Sequence, residues 1–190
     1  MSGTILVFVE HAGGEADRIS LETLTFARRL AASTGGRVEA VLFGAGSAAV
    51  AGTLGTHGVA AAHVADDARL DGYAPAAWGS AIAGLAASLT PAAVVAPGTE
   101  RGNEVLAHVA ARSGLPMAAN VVEVTDAGSG PAWRLTRQRL AGSLLEDAAL
   151  DAPIHLLSMA PHAVPIEEVG GAAPMIPSFA PAVSDADFVV

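Results

Sequence analysis

The chain has 190 residues, of which 52% are hydrophobic and 15% are charged, so we predict one folded domain with a substantial core rather than a disordered chain. The formal net charge is −9 and every basic residue is an arginine, which argues against nucleic acid and against an anionic membrane surface as binding partners. The chain contains no cysteine, which excludes disulfides, thiolate metal sites, iron–sulfur clusters and a cysteine nucleophile.

Residues 4–113 alternate between short apolar runs and amphipathic segments. The apolar runs predict strands over 4–9, 38–43, 60–65 and 92–96. The amphipathic segments predict helices, the first capped by Ser20 and ended by Gly35, the others over 47–57, 75–89 and 104–113. Four strand–helix units in a row indicate a parallel sheet that is covered by helices on both faces.

After Gly114 the pattern changes to strands without intervening helices, over 118–125, 133–139, 143–146 and 154–159. A turn over 126–131 joins the first two of these strands, and we expect the whole group to form an antiparallel extension of the sheet. The sequence therefore predicts a Rossmann-like α/β/α sandwich of three layers over residues 1–160. Residues 161–190 are rich in proline and glycine, which is typical of a surface arm or a linker.

One loop has the position and composition of an anion site. Gly98, Thr99, Arg101 and Gly102 lie between the fourth strand and its helix, where backbone N–H groups and the Arg101 guanidinium could hold a phosphate. The alternative is a tight turn whose backbone geometry requires glycine. The sequence favours the turn, because the loop lacks the spacings of the known phosphate-binding motifs.

No other group of residues predicts a catalytic or metal site. Glu10 and His11 end the first strand, but no nucleophile accompanies His11, and the other histidines lack metal-ligand spacing. Asp66 and Asp67 are typical of a solvated turn rather than a cation site. Three arginines along one predicted strand form either a docking face or a solvated strand edge: Arg134, Arg137 and Arg139. With no signal peptide and no transmembrane run in the sequence, we expect a cytoplasmic protein.

The order of these segments resembles the N-terminal domain of the alpha subunit of electron transfer flavoproteins. The segments that carry the resemblance are the opening strand with Glu10 and His11, LETL at 21–24, ARRL at 27–30, APGTERGNE at 96–104, LAHVAARSGL at 106–115, NVV at 120–122 and TRQRLAGS at 136–143. Three residues depart from that family's pattern: Asn103 stands where a basic residue is usual, Ser143 where asparagine is common, and Ala160 where arginine is expected.

The resemblance implies a function in electron transport. Such subunits have a second domain that carries most of the FAD-binding residues, so residues 161–190 would be an arm or linker toward that domain. The first domain packs against a beta subunit, and the complex carries electrons from flavin dehydrogenases, including those of fatty acid oxidation, to a membrane quinone oxidoreductase. The implied role of this chain is therefore a scaffold, neither an enzyme nor a binder of FAD on its own.

Two hypotheses from other classes remain open. The loop over 98–103 also suits a stand-alone module that binds adenine nucleotides, with a fold like that of the universal stress proteins. A small hydrolase that uses His11 is the other hypothesis.

Overall fold

The computed structural model describes residues 3–128 and 132–189. Within these ranges the chain forms a large mixed sheet, one separate small hairpin and four α-helices. The strands are β1 (Ile5–Phe8), β2 (His11–Ala12), β3 (Glu15–Ala16), β4 (Val38–Leu42), β5 (Val59–Ala65), β6 (Ala93–Pro97), β7 (Met117–Asp126), β8 (Ala132–Arg139), β9 (Leu144–Asp151), β10 (His155–Met159) and β11 (Ser178–Phe179). The α-helices are α1 (Arg18–Thr34), α2 (Ser47–Thr53), α3 (Pro75–Leu89) and α4 (Glu100–Ser113).

The large sheet confirms the predicted α/β class. Its strand order is β11-β5-β4-β1-β6-β10-β7-β8-β9, and the pairs from β11 to β7 are all parallel. All four residues of β1 are buried, as expected of a strand that is covered on both faces. One core packs α1 and α2 against one face of the sheet, and a second core packs α3 and α4 against the other.

The prediction was wrong about the last of the four C-terminal strands. We expected β10 to belong to the antiparallel extension, but it lies between β6 and β7 and runs parallel to both. Its five residues are all buried, which suits a central strand. The antiparallel pairs in this sheet are β7 with β8 and β8 with β9. Sequence order could not reveal this insertion, because the partners of β10 in β6 are about sixty residues earlier in the chain.

Several element boundaries also differ from the prediction. The cap of α1 is Asp17, whose carboxylate accepts the Ile19 N–H at 3.0 Å, while Ser20 is buried inside the helix. Helix α4 begins at Glu100 rather than at residue 104, because Thr99 caps it. Strand β9 reaches Asp151, five residues beyond its predicted end. Of the predicted turn over 126–131, residues 129–131 lie outside the described part of the chain.

The proline- and glycine-rich segment packs along the domain. Glu167 forms ion pairs with Arg28 and Arg29 of α1. The chain then runs beside the outer edge of β5, where the carbonyl groups of Met175, Pro177 and Phe179 accept backbone N–H groups of residues 62–66. Strand β11 thus covers the edge of β5, and this part of the predicted arm is packed onto the domain. A continuation toward a FAD domain stays a prediction.

A buried carboxylate holds the far end of this segment. The Asp187 side chain is only 5% exposed and accepts hydrogen bonds from the Ser184 N–H at 2.7 Å and from the Ser80 hydroxyl at 2.9 Å. It also forms an ion pair with Arg112 of α4. The hydrogen bond from the Ser184 backbone, with help from Ser80 and Arg112, outweighs burial and lowers the pKa of Asp187 to about 2.

We expect Asp187→Asn to lower the free energy of unfolding at neutral pH by about 1 to 3 kcal/mol, because it leaves Arg112 without its buried partner. The pKa of Asp187 is lower in the folded chain than its ordinary value of 3.8, so its contribution is present above pH 4 and is lost as the pH falls toward 2. Urea titrations at neutral pH and near pH 3 should therefore show that the difference between variant and parent shrinks on acidification.

The matched control is Asp185→Asn, which removes a fully exposed carboxylate two residues away. It should leave the unfolding curve almost unchanged at both pH values. Equal effects of the two substitutions would contradict the anchoring role of Asp187.

Candidate functional site

The strand order places one crevice where ligands bind in folds of this kind. The chain leaves β1 for β4 on one side, while β6 lies on the other side of β1. Open α/β sheets bind ligands at such a switch point, outside the carboxyl ends of the strands. The residues that follow β1 and β6 are the two groups that the sequence singled out, Glu10 with His11 and the loop from Gly98 to Gly102. The fold therefore brings both sequence candidates to one edge.

Glu10, Thr99 and Gly102 contact one another at this edge. The Thr99 hydroxyl donates a hydrogen bond to the Glu10 carboxylate and accepts the Gly102 N–H at 2.9 Å. The Gly102 backbone N–H also interacts favourably with Glu10, whose own N–H donates to the Ser20 hydroxyl at 2.9 Å. The carboxylate thus lies at the start of α4, where a bound anion would interact with the helix dipole. The protein supplies its own anion at this position.

Burial dominates the electrostatics of Glu10. Desolvation raises the pKa of its carboxyl group, although the Thr99 hydroxyl, the Arg101 charge and the Gly102 N–H act in the opposite direction. The neighbouring Asp17 carboxylate adds to the rise. Ionisation of Glu10 is therefore less favourable in the folded chain than in water, and its hydrogen bonds offset the desolvation only in part.

The two loop glycines are explained by packing. A Cβ at Gly98 would overlap the Met159 carbonyl group of β10, and one at Gly102 would overlap the Pro97 carbonyl group of β6. Both glycines let the start of α4 approach the ends of β6 and β10 closely. The hypothesis that this loop binds a phosphate stays a prediction, and the geometry favours the alternative of a tight turn.

The Arg101 side chain packs on an aromatic ring beside the Glu10–Thr99 contact. Its guanidinium lies 4.7 Å from the centre of the Tyr73 ring, within the range of a cation–π interaction. The Tyr73 hydroxyl donates to Glu104 at 2.6 Å, and burial together with that carboxylate raises the pKa of Tyr73. Composition and spacing did not indicate this pair, because Tyr73 and Glu104 are 31 positions apart in the sequence.

Tyr73 and Arg101 belong to the wall of a cleft of about 310 Å³ above the sheet. The cleft is lined by Val9, Glu10, His11, Ala12, Gly13, Gly14, Phe43, Gly44, Ala45, Asp71, Tyr73, Trp78 and Arg101. His11 Nε2 donates to the Phe43 carbonyl oxygen at 2.7 Å, which ties the hairpin β2–β3 to the end of β4. The residues described in this lining include no serine, threonine or cysteine beside His11.

A chain of hydrogen bonds leads from the start of α4 across the sheet. The Asn103 side chain donates to the Thr99 carbonyl oxygen at 2.9 Å and accepts the Ser158 hydroxyl at 2.6 Å. Ser158 in turn accepts the N–H of Asn120 at 3.0 Å. Asn103, one of the departures from the family pattern, is therefore satisfied inside the domain. The sequence contained no signal for this network, because its members come from three separate elements.

The remaining polar candidates have local roles. Asp67 caps the 3₁₀ turn Ala68–Leu70 and forms an ion pair with Arg69, as expected of a solvated turn. Arg137 pairs with Glu146 across the hairpin at 2.7 Å. Within residues 3–128 and 132–189, no group of three or more His, Asp or Glu side chains could hold a metal ion. No helix in the same ranges is long and apolar enough to cross a membrane.

Comparison with known families identifies the fold. Residues 5–184 match the family described as "Electron transfer flavoprotein domain". The chain belongs to the electron transfer flavoprotein domain family. It is 31% identical to the electron transfer flavoprotein subunit alpha of Mycobacterium tuberculosis over 95% of this chain and 54% of that protein. This match confirms the resemblance to the alpha subunit that the sequence segments indicated.

Two further relatives carry related names. The electron transfer flavoprotein subunit alpha of Mycobacterium leprae is 35% identical over 66% of this chain and 38% of that protein. Protein FixB of Clostridium saccharobutylicum is 29% identical over 82% of this chain and 46% of that protein. The chain spans about half the length, or less, of these three relatives.

The packing role of Gly102 can be tested by comparison with a glycine in another helix. Gly102→Ala should lower the free energy of unfolding by about 1 to 3 kcal/mol, because the new methyl group overlaps the Pro97 carbonyl group. Gly84→Ala in α3 is the matched control, since its Cβ would make only an ordinary contact with Ala182 at 3.9 Å. It should raise the free energy of unfolding by about 0.5 to 1 kcal/mol through helix propensity. Urea titration measures both, and a stabilising Gly102→Ala would contradict the packing role.

The electrostatics of Glu10 can be tested through the pH dependence of folding. A carboxyl group whose pKa is raised on folding destabilises the native state when it is charged, and this penalty disappears as the pH falls through the raised pKa toward the ordinary value of 4.5. We expect Glu10→Gln to be more stable than the parent at neutral pH and to lose that advantage on acidification. Glu15→Gln, which changes an exposed carboxylate in the neighbouring strand β3, should show no such trend. A constant difference from the parent at all pH values would argue against the buried charge.

Proposed function

We propose that this chain is the scaffolding domain of an electron transfer flavoprotein alpha subunit. In this proposal it associates with the beta subunit in a FAD-containing complex, located in the cytoplasm, that carries electrons from flavin dehydrogenases to a quinone oxidoreductase. The observation that carries the proposal is the match of residues 5–184 to the electron transfer flavoprotein domain.

The geometry of the crevice supports a role without chemistry of its own. A flavin is tuned by hydrogen bonds and charges that its protein shell directs at the ring. At the switch point the Glu10 carboxylate occupies the helix start, and Arg101 lies on Tyr73. These polar groups are engaged with one another, so we expect FAD to be held by other parts of the complex and not by this chain alone.

Adenine-nucleotide binding by the isolated chain is the second candidate. The cleft beside Tyr73 and Arg101 favours it, because its volume of about 310 Å³ lies within the size range of small-molecule sites. The Glu10 carboxylate speaks against it, because a phosphate at the start of α4 would meet a negative charge there. The third hypothesis, a hydrolase that uses His11, has no serine, threonine or cysteine in the described cleft lining to support it.

Coexpression tests the leading proposal directly. The chain and a beta subunit from the same organism should copurify as a stable complex on size exclusion, because the proposed role of this domain is that association. The complex should contain FAD once the alpha subunit's second domain is supplied as well. Failure of the subunits to associate, even with that domain present, would count against the proposal.

Calorimetry separates the second candidate from the first. Titration of the isolated chain with AMP, ATP and FAD should give no saturable heat, because Glu10 already fills the anion position. Saturable binding of AMP or ATP would favour the nucleotide-binding module instead. Glu10→Gln is the informative variant in that case, since loss of the charge should tighten binding if the phosphate lies at the start of α4.

A further inference from the structure

One wall of the cleft beside Glu10 is aromatic. The Tyr73 ring is 40% exposed and meets the Trp78 ring edge to face, with 5.2 Å between the two ring centres. Trp78 in turn stacks on Phe43, and both of these rings are buried. The exposed ring is therefore supported by a rigid aromatic core, and it offers a planar ligand an apolar surface.

The Tyr73 ring already holds a cation of the protein itself. The Arg101 guanidinium lies 4.7 Å from the ring centre, which is the geometry of a cation–π interaction. Arg101 is an exposed side chain near the start of α4. A ligand that carries a planar cation can therefore take its place on the ring without disturbing the core.

The charges around the cleft are mainly negative. The carboxylates of Glu10 and Asp71 line it, and the charge of Asp17 acts on Glu10 from the adjoining hairpin end. A further carboxylate, that of Glu104, accepts the hydroxyl group of the wall tyrosine at 2.6 Å. Arg101 supplies the guanidinium of the described lining. This balance favours a cationic ligand and opposes a phosphate.

Hydrogen-bond acceptors predominate among the polar side chains of the cleft. The Glu10 carboxylate has two donors within the protein, but a carboxylate offers roughly four lone-pair sites. Donation by His11 Nε2 to the Phe43 carbonyl oxygen leaves Nδ1 of the neutral ring as an acceptor. Asp71 adds an exposed carboxylate. A ligand with several N–H donors matches these groups, whereas a ligand that only accepts hydrogen bonds does not.

We propose that this cleft binds a small planar organic cation with several N–H donors, of the amidinium or guanidinium type. The cationic group binds the carboxylates of Glu10 and Asp71, and the planar body lies on the Tyr73 ring in place of Arg101. The volume of about 310 Å³ is at the lower end of the range for small-molecule sites, so the ligand is small. This inference concerns the chain by itself and does not depend on a role in electron transport.

Benzamidine is the probe, and benzamide and benzoate are controls of nearly the same shape with neutral and negative head groups. In an NMR titration of the chain, benzamidine should bind saturably with a Kd at least about tenfold below that of benzamide, and benzoate should not bind. The indole N–H signal of Trp78 should shift, because Trp78 lines the cleft. The signal of Trp133, which is buried elsewhere among β8 and its neighbours, should not.

Two substitutions at the cleft have opposite expected effects. Glu10→Gln should raise the Kd for benzamidine about tenfold, because it removes a charge that binds the amidinium. Arg101→Ala should lower this Kd about threefold or more, because it vacates the Tyr73 ring and removes a positive charge. An anionic ligand would reverse both signs. The matched controls are Glu168→Gln and Arg134→Ala, exposed residues outside the described lining, which should leave the Kd within about twofold of the parent value.

Thermal unfolding shows whether each variant is folded, and if Arg101→Ala is not, the three probes on the parent chain decide. Equal affinities for benzamidine and benzamide, tighter binding of benzoate, or a shift of the Trp133 signal alone would each contradict the inference. A folded Arg101→Ala that binds benzamidine more weakly would also contradict it.

The outcome is separate from that of the coexpression experiment. A chain that associates with the beta subunit but does not bind benzamidine contradicts this inference alone. A chain that binds benzamidine in this cleft but does not associate contradicts the proposed function alone.

Discussion

The contact between Glu10 and Thr99 determines what this domain can do at its ligand-binding edge. It joins the end of β1 to the first turn of α4 at the point where the strand order reverses. In related architectures a ligand anion uses that helix start, but here a side chain of the protein fills the position. The Glu10 carboxylate therefore joins β1 to α4 at the place where a ligand anion could otherwise lie.

The two ends of the sheet differ in whether their outer strand is covered. At β5 the proline- and glycine-rich segment covers the edge through β11, and Asp187 holds the end of that segment against α3 and α4. At the other end, β9 has no strand on its outer side within the described part of the chain, and it begins with two exposed leucines. An uncovered edge strand invites pairing with other chains.

Local sequence signals predicted most of the elements because they act over a few residues. The apolar run before Glu10 and the helix after Pro75 were located closely, and the positions of Gly35 and Gly114 marked helix ends correctly. The start of α1 was misplaced, since Asp17 and Ser20 are both good capping residues and only packing buries Ser20. Recognition of the family was also possible, because the order of short segments survives even where single residues change.

The sequence by itself determined the α/β class, the loop at the end of β6 and the family, since these depend on periodicity and on residue order. Tertiary structure alone decided that β10 enters the middle of the sheet, that Glu10 meets Thr99, and that Asn103, Ser158 and Asn120 share hydrogen bonds. It also decided that the leucines of the hairpin remain in solvent. The physical reason is the same in each case: these contacts join residues far apart in the chain, and their partners are chosen by the packing of whole elements rather than by any local preference.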